Sequence, residues 1–265
     1  MGYQENFQLQ NLILPNNIFY APLAGCSDYP FRQMATLFKP GLMFCEMVKI
    51  EAVIRKDPTT LKYLEYHSSM RPIGAQICGS NPKVAAEAAK IIEDLGFDVI
   101  DLNCGCPVDK VIKDGSGSAL LMHPEKIAEM LLAIKSVVSI PVTAKVRLGW
   151  NQDNITIFDV LSHVEESGAS LITIHGRTRQ QGYSGVANWE YIKECKRRAK
   201  KILVFGNGDI FDPDAAKRIF QETECDGIMV ARGMLGKPWL AEDIIHSFQG
   251  KNTQKKSFIE HLDML

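Results

Sequence analysis

The chain has 265 residues and contains no apolar run of about 18, the length a membrane-crossing helix requires, so no membrane partner is expected. It also lacks an excess of charge of either sign: 30 Lys and Arg against 31 Asp and Glu leave a formal net charge of −1. Nucleic-acid-binding domains usually carry a basic surplus, so any RNA contact must come from a local patch. The first residues, MGYQENFQLQNLILPNN, have neither the basic start nor the cleavage site of a secretory leader, and export is not expected. Disulfide-scaffold spacings are missing as well. There are seven cysteines, an odd set, and only Cys104 and Cys106 lie close together. No second Cys pair and no His pair at ligand spacing accompanies them, so no metal site is expected. A reducing, cytoplasmic setting suits this cysteine usage.

What is present is an ordinary globular composition, 46% hydrophobic and 23% charged, which excludes a disordered or fibrous chain. From residue 18 onward, short apolar runs alternate with helical patterns, the signature of repeated βα units. Eight runs begin at Ile18, Leu42, Pro72, Val99, Val142, Leu171, Ile202 and Gly227. Between them, NPKVAAEAAKIIEDLG predicts a helix with Asn81 as N-cap, Pro82 at its first position and Gly96 as its stop. Pro124 and Pro213 open two further helices in the same way. Near-continuous apolar strands are buried on both faces, which predicts an α/β fold of the TIM (β/α)8 barrel type. A doubly wound sheet satisfies the same periodicity, because periodicity does not set strand order. The barrel domain is assigned to residues 1–248. The polar stretch QGKNTQKK and the apolar SFIEHLDML that follows read as a linker and the start of a truncated C-terminal helical segment, 249–265.

In a barrel of this kind, polar residues at the C-terminal strand ends gather on one face. That rule selects Gln76, Asn103, Cys106, Lys145, Arg147, His175, Arg177, Asn207, Asp209 and Arg232. The last two strands end in Gly206-Asn207-Gly208-Asp209 and Ala231-Arg232-Gly233, where small residues let backbone N–H groups approach a ligand. A phosphorylated cofactor such as FMN suits that position; two ordinary glycine turns are the alternative. Lys145 lies inside the apolar run VTAKVRLG, where an unpaired ammonium is costly, so it is expected to face an anionic or electron-rich group. A reduced flavin is such a group, and a Schiff-base lysine is the competing assignment. Cys106 follows a strand end between Gly105 and Pro107, which can hold a thiol exposed, whereas Cys45, Cys78 and Cys104 read as packing residues. His175 reads as a ligand contact. The run KECKRRAKK from Lys193 reads as a solvated helix face, with an RNA footprint as the alternative.

Taken in order, APLAG at Ala21, EM at Glu46, QICG at Gln76, DLNCGCP at Asp101, KVRLGW at Lys145, HGRTR at His175, GNGDI at Gly206 and ARG at Ala231 resemble the tRNA-dihydrouridine synthase family. The match runs from Ala21 to Trp239, and the bacterial B-type branch is nearest. The resemblance implies FMN held by Pro22, Leu23, Ala24, Gln76, Lys145, His175, Asn207, Gly208, Asp209, Ala231 and Arg232. It implies NADPH as a transient reductant, bound without a Rossmann domain, whose Gly-x-Gly-x-x-Gly fingerprint is absent. It makes Cys106 the catalytic acid that protonates carbon 5 of a uracil ring while hydride reaches carbon 6. It places Asn103 where it can orient the flavin or the uracil, and Arg147 and Arg177 near the uracil edge or the RNA backbone, with tRNA as the partner and a monomer as the expected state. An FMN barrel acting on a free pyrimidine, such as a dihydroorotate dehydrogenase-like enzyme, is the nearest rival. An ene-reductase of the old yellow enzyme type and a non-catalytic tRNA-binding barrel stand further off.

Overall fold

A computed structural model describes residues 2–251. The segment expected to be a linker and C-terminal helix, 249–265, therefore lies outside the described residues from position 252 on. Each of the eight apolar runs is a strand: β1 (Ile18–Tyr20), β2 (Leu42–Phe44), β3 (Ile73–Cys78), β4 (Val99–Cys104), β5 (Val142–Arg147), β6 (Leu171–His175), β7 (Leu203–Asn207) and β8 (Gly227–Val230). All pair in parallel with their sequence neighbours, and β8 pairs with β1 through Ile228 and Ile18. The sheet is thus closed, and the chain is a TIM (β/α)8 barrel, not a doubly wound sheet.

The helices follow the start signals seen in the sequence. Asn81 accepts from the amides of Lys83 and Val84 at the start of Pro82–Asp94, and Gly96 takes φ +87° just past its end. Asp212 caps Pro213–Thr223 by accepting from Ala215 N at 2.7 Å. Ala85, Ala88, Ala89 and Ile92 recur at helical spacing on the buried face of Pro82–Asp94, and the small volume of the three alanines lets the helix pack closely.

Strand periodicity of two sorts each strand between two environments. Ile100, Leu102 and Cys104 of β4, with Val142, Ala144 and Val146 of β5, belong to the apolar layer shared with the helices. The alternate residues climb the barrel lumen. Its lowest level is apolar, with Phe19, Leu42, Phe44, Val99, Leu171, Phe205 and Met229 in one cluster. Above it strands β3 to β7 carry Gln76, Asp101, Thr143 and Thr173, and then Asn103, Lys145, His175 and Asn207.

A hairpin that the βα rhythm does not announce closes the lower end. Glu5–Leu9 pairs antiparallel with Leu12–Asn16, and its alternate residues Phe7, Leu9 and Leu14 enter the floor cluster. The ring of Phe7 lies 5.4 Å from that of Phe205, which lies 4.5 Å from Phe19. A second hairpin, Gly149–Asn151 with Asn154–Ile155, rises beside the opposite end. Among the described residues no helix is long and apolar enough to cross a membrane.

Candidate active site

At the C-terminal mouth the lumen opens into a cavity of about 450 Å³. Its lining contains Pro22, Leu23, Ala24, Gln76, Asn103, Cys106, Lys145, Arg147, His175, Asn207, Gly208, Asp209, Ala231 and Arg232, so one chamber gathers residues that span more than 200 positions of sequence. Closure of the barrel is the cause: the C-terminal ends of its strands and the loops that follow them meet at one rim.

Lys145 donates to Asn207 Oδ1 at 3.1 Å, and Asn207 Nδ2 donates to the Met229 carbonyl at 2.6 Å. Burial, reinforced by the Arg147 charge and opposed by Asp101, pushes Lys145 down to about 8, so it is a cation at neutral pH. His175 is buried beside it. Desolvation first, then the positive charges of Lys145, Arg147, Arg177 and Arg232, hold its pKa far below the usual histidine range, and the ring is neutral. The side of the chamber near Lys145 and Arg232 therefore favours negative charge without a protonated imidazole.

Cys106 is half-buried on the loop after β4. Asn103 Oδ1 accepts from the amides of Gly105 at 3.1 Å and Cys106 at 2.9 Å. From the far side, Ser118 donates both its amide (3.1 Å) and its hydroxyl (2.9 Å) to the Cys106 carbonyl. Gly117, at φ +61°, packs so closely that a Cβ there would stand 2.9 Å from that carbonyl. Arg147 joins this loop to the next wall, with Nε on Gly105 O and NH1 on the carbonyls of Thr178 and Gly182.

Arg177 is not among the lining residues. It is 2% exposed, and its guanidinium holds both carboxylate oxygens of Asp209 at 2.8 Å. Asp209 also accepts from Ala187 N at 2.7 Å and from Arg232 at 3.2 Å. Burial alone would raise its carboxyl; these donors outweigh it and hold the pKa below the ordinary range. They also hold Asp209 at φ +57°, next to Gly208 at φ +118°.

Several wall residues escaped the strand-end rule because they sit on loops. Tyr183, 53% exposed, and Phe211 flank Arg232, whose guanidinium carbon lies 4.3 Å and 5.3 Å from their ring centroids. The basic run after Lys193 is largely paired. Lys196 binds Asp226 at 2.7 Å, Arg197 and Arg198 share Glu194, and Arg198 covers the Phe158 ring. Cys45, Cys78 and Cys104 are buried, with thiols pushed up by desolvation, as packing residues should be.

A closed (β/α)8 barrel with an apolar floor and a thiol, an ammonium and an imidazole at its C-terminal mouth defines a barrel enzyme. The chain belongs to the dihydrouridine synthase family: residues 19–265 match the family described as Dihydrouridine synthase (Dus). It is 39% identical over 260 residues to a probable tRNA-dihydrouridine synthase of Rickettsia prowazekii, covering 97% of this chain and 79% of that one. It is 37% identical over 233 residues to tRNA-dihydrouridine synthase B of Pseudomonas aeruginosa, covering 88% and 70%. Among solved structures, a 2-naphthoyl-CoA reductase in complex with 2-naphthoyl-CoA superposes with a TM-score of 0.69 at 12% identity. That match covers 92% of this chain and 52% of the other, so this chain spans about half of that protein's length, and the likeness is one of fold alone.

Proposed function

We propose that the protein reduces the 5,6 double bond of uridine in tRNA to dihydrouridine, using FMN reduced by NADPH. The observation that carries this reading is the chamber whose lining holds both the Cys106 loop and the Lys145–Asn207 pair. The donor set fits FMN. Lys145 has one protein acceptor among the described residues for its three N–H groups, and it can stabilise an anionic ring. Gly208 and Gly233 mark where backbone lies too close to its surroundings for a side chain: a Cβ would meet Ala187 Cβ at 2.7 Å and the Ile210 carbonyl at 2.0 Å. Such turns, beside Arg232, suit a phosphate. Pro22, Leu23, Ala24 and Ala231 would supply apolar wall, and Gln76, His175, Asn207 and Asp209 polar groups, to a bound flavin.

When bound, FMN supplies hydride to carbon 6 of the uracil ring. Cys106 supplies the matching proton, its S–H bond breaking as a C–H bond forms at carbon 5. Asn103, Ser118 and Arg147 hold the Cys106 loop at the wall. Arg147 lines the chamber, within reach of substrate, while Arg177 stands behind the wall and fixes Asp209 and the rim loop 184–187. Arg232, Tyr183 and Phe211 form the outer lip, where an extruded nucleotide would enter. The chain is read as a cytoplasmic monomer.

Anaerobic reaction of the FMN-loaded protein with NADPH and unmodified tRNA, with dihydrouridine scored by mass spectrometry, tests this reading. Cys106→Ala should lower dihydrouridine formation by about 10²-fold or more, as loss of a general acid does, and leave flavin reduction by NADPH intact. Flavin reduction with no dihydrouridine in the wild type would refute the proposal.

A further inference from the structure

A directed hydrogen-bond chain runs up the barrel lumen into the chamber. At its base Asp101, 0% exposed, accepts from Thr143 Oγ1 at 2.6 Å and from Gln76 Nε2 at 2.7 Å. Gln76 Oε1 accepts from Asn103 Nδ2 at 2.8 Å. Asn103 Oδ1 in turn accepts from the amides of Gly105 and Cys106. Its lower members are neighbours in strand register: Gln76 faces Asp101 across β3 and β4, and Asp101 faces Thr143 across β4 and β5.

The sense of this chain is imposed from both ends. A carboxylate only accepts and a backbone N–H only donates, whereas a carboxamide can be turned either way. Ionised Asp101 draws the Gln76 NH₂ downward, which leaves Gln76 Oε1 facing Asn103. Asn103 must then give its NH₂ to Gln76 and its oxygen to the Cys106 backbone. If Gln76 were turned over, oxygen would oppose carboxylate, and NH₂ would oppose the NH₂ of Asn103. Turning Asn103 as well would set its NH₂ against the N–H of Cys106. No intermediate arrangement satisfies all the groups.

We infer that Asp101 is a positioning residue for Cys106: its carboxylate sets the sense of the Gln76 and Asn103 amides, and through them seats the Cys106 backbone at the chamber wall. The functional meaning rests on Cys106 being the proton donor; the geometry does not. The placement of the carboxylate supports the inference. Burial pushes Asp101 up to about 6, even though the Gln76 and Thr143 donors and the Lys145 charge favour its ionised form. A packed apolar side chain avoids that penalty, as the floor one level below does. The carboxylate is thus accounted for by what it orients.

The test compares iodoacetamide alkylation of individual thiols in the full-length protein, resolved by peptide mass spectrometry. Cys26 also lines the chamber, from the loop after β1 and outside this chain of bonds, and serves as the internal reference. Asp101→Leu removes the acceptor and should change the Cys106 rate by about fivefold, the equivalent of one lost hydrogen bond, with Cys26 within about twofold of wild type. Asp101→Asn still offers an oxygen to Gln76 and an NH₂ to the Thr143 hydroxyl, so its Cys106 rate should stay within about twofold of wild type. If Asp101→Leu does not fold, Gln76→Met, which cuts the chain one link higher, should show the same selective change. An unchanged Cys106 rate in the folded cutting variant would overturn the inference. So would equal shifts at Cys26 and Cys106, or an Asp101→Asn protein as altered as Asp101→Leu. Single-turnover flavin oxidation by tRNA should slow in Asp101→Leu while flavin reduction by NADPH does not. If wild-type protein makes no dihydrouridine, the proposed function fails and the alkylation comparison still decides the role of Asp101.

Discussion

At the scale of single residues, Asp101 and Lys145 are ionisable groups that the barrel lumen keeps against a desolvation penalty. Their pKa values move toward each other, Asp101 up to about 6 and Lys145 down to about 8. The consequence for stability has a definite sign. A carboxyl raised on folding contributes stability that is complete below its unfolded value of 3.8 and is lost as pH rises through about 6. Asp101→Asn does not titrate, so its thermal stability relative to wild type should increase between pH 3.8 and about 6 and stay level above that. Paired melting curves from pH 4 to about 8 check this, because groups common to both proteins cancel. A constant difference across the range would mean that Asp101 titrates near its unfolded value. The argument that singled out Lys145 in the sequence, a charge within an apolar run, applies equally to Asp101 in VIDLNC. It was legible but incomplete, since nothing along the chain shows that Gln76 and Thr143 flank it.

At the scale of elements, strand ends and helix starts were readable because each depends on neighbours in sequence. Proline at a first helical turn and alternation along a strand are local effects. Loop geometry depended on more distant partners. The turn after β7 takes φ +118° at Gly208 and φ +57° at Asp209, and Arg177, 32 residues earlier, holds the second of these. Gly208→Ala places a Cβ 2.7 Å from Ala187 Cβ in a backbone region unsuited to it. It should destabilise the protein by about 1–3 kcal/mol and weaken FMN binding, measured by chemical denaturation and by fluorescence titration of added FMN. Position at a strand end made Arg177 a candidate site residue, and the family resemblance put it near the uracil or the RNA backbone. Its place behind the chamber wall comes with its bidentate hold on Asp209, a partner 32 residues away in sequence.

At the scale of the whole molecule, the lumen divides into an apolar floor and a polar mouth, and the hairpin Glu5–Leu9 with Leu12–Asn16 completes the floor. Phe7→Ala would open a cavity between Phe19 and Phe205 and should cost about 3–5 kcal/mol, read from the denaturant midpoint. FMN binding to the folded fraction should be unaffected, because the hairpin is at the opposite end of the barrel from the chamber. A concerted loss of flavin affinity would show that the two ends are coupled.

The order of βα units, the capping residues, the buried character of each strand and the polar identity of the strand ends were determined by sequence alone, because hydrophobic periodicity and cap chemistry act within a few residues. Closure of β8 onto β1, the hairpin under the floor, the loop aromatics at the lip and the bonded sequence Thr143, Asp101, Gln76, Asn103, Cys106 were decided only by tertiary structure. Each of these joins side chains that are far apart in sequence, and a hydrogen bond acts only over the distance that folding has set.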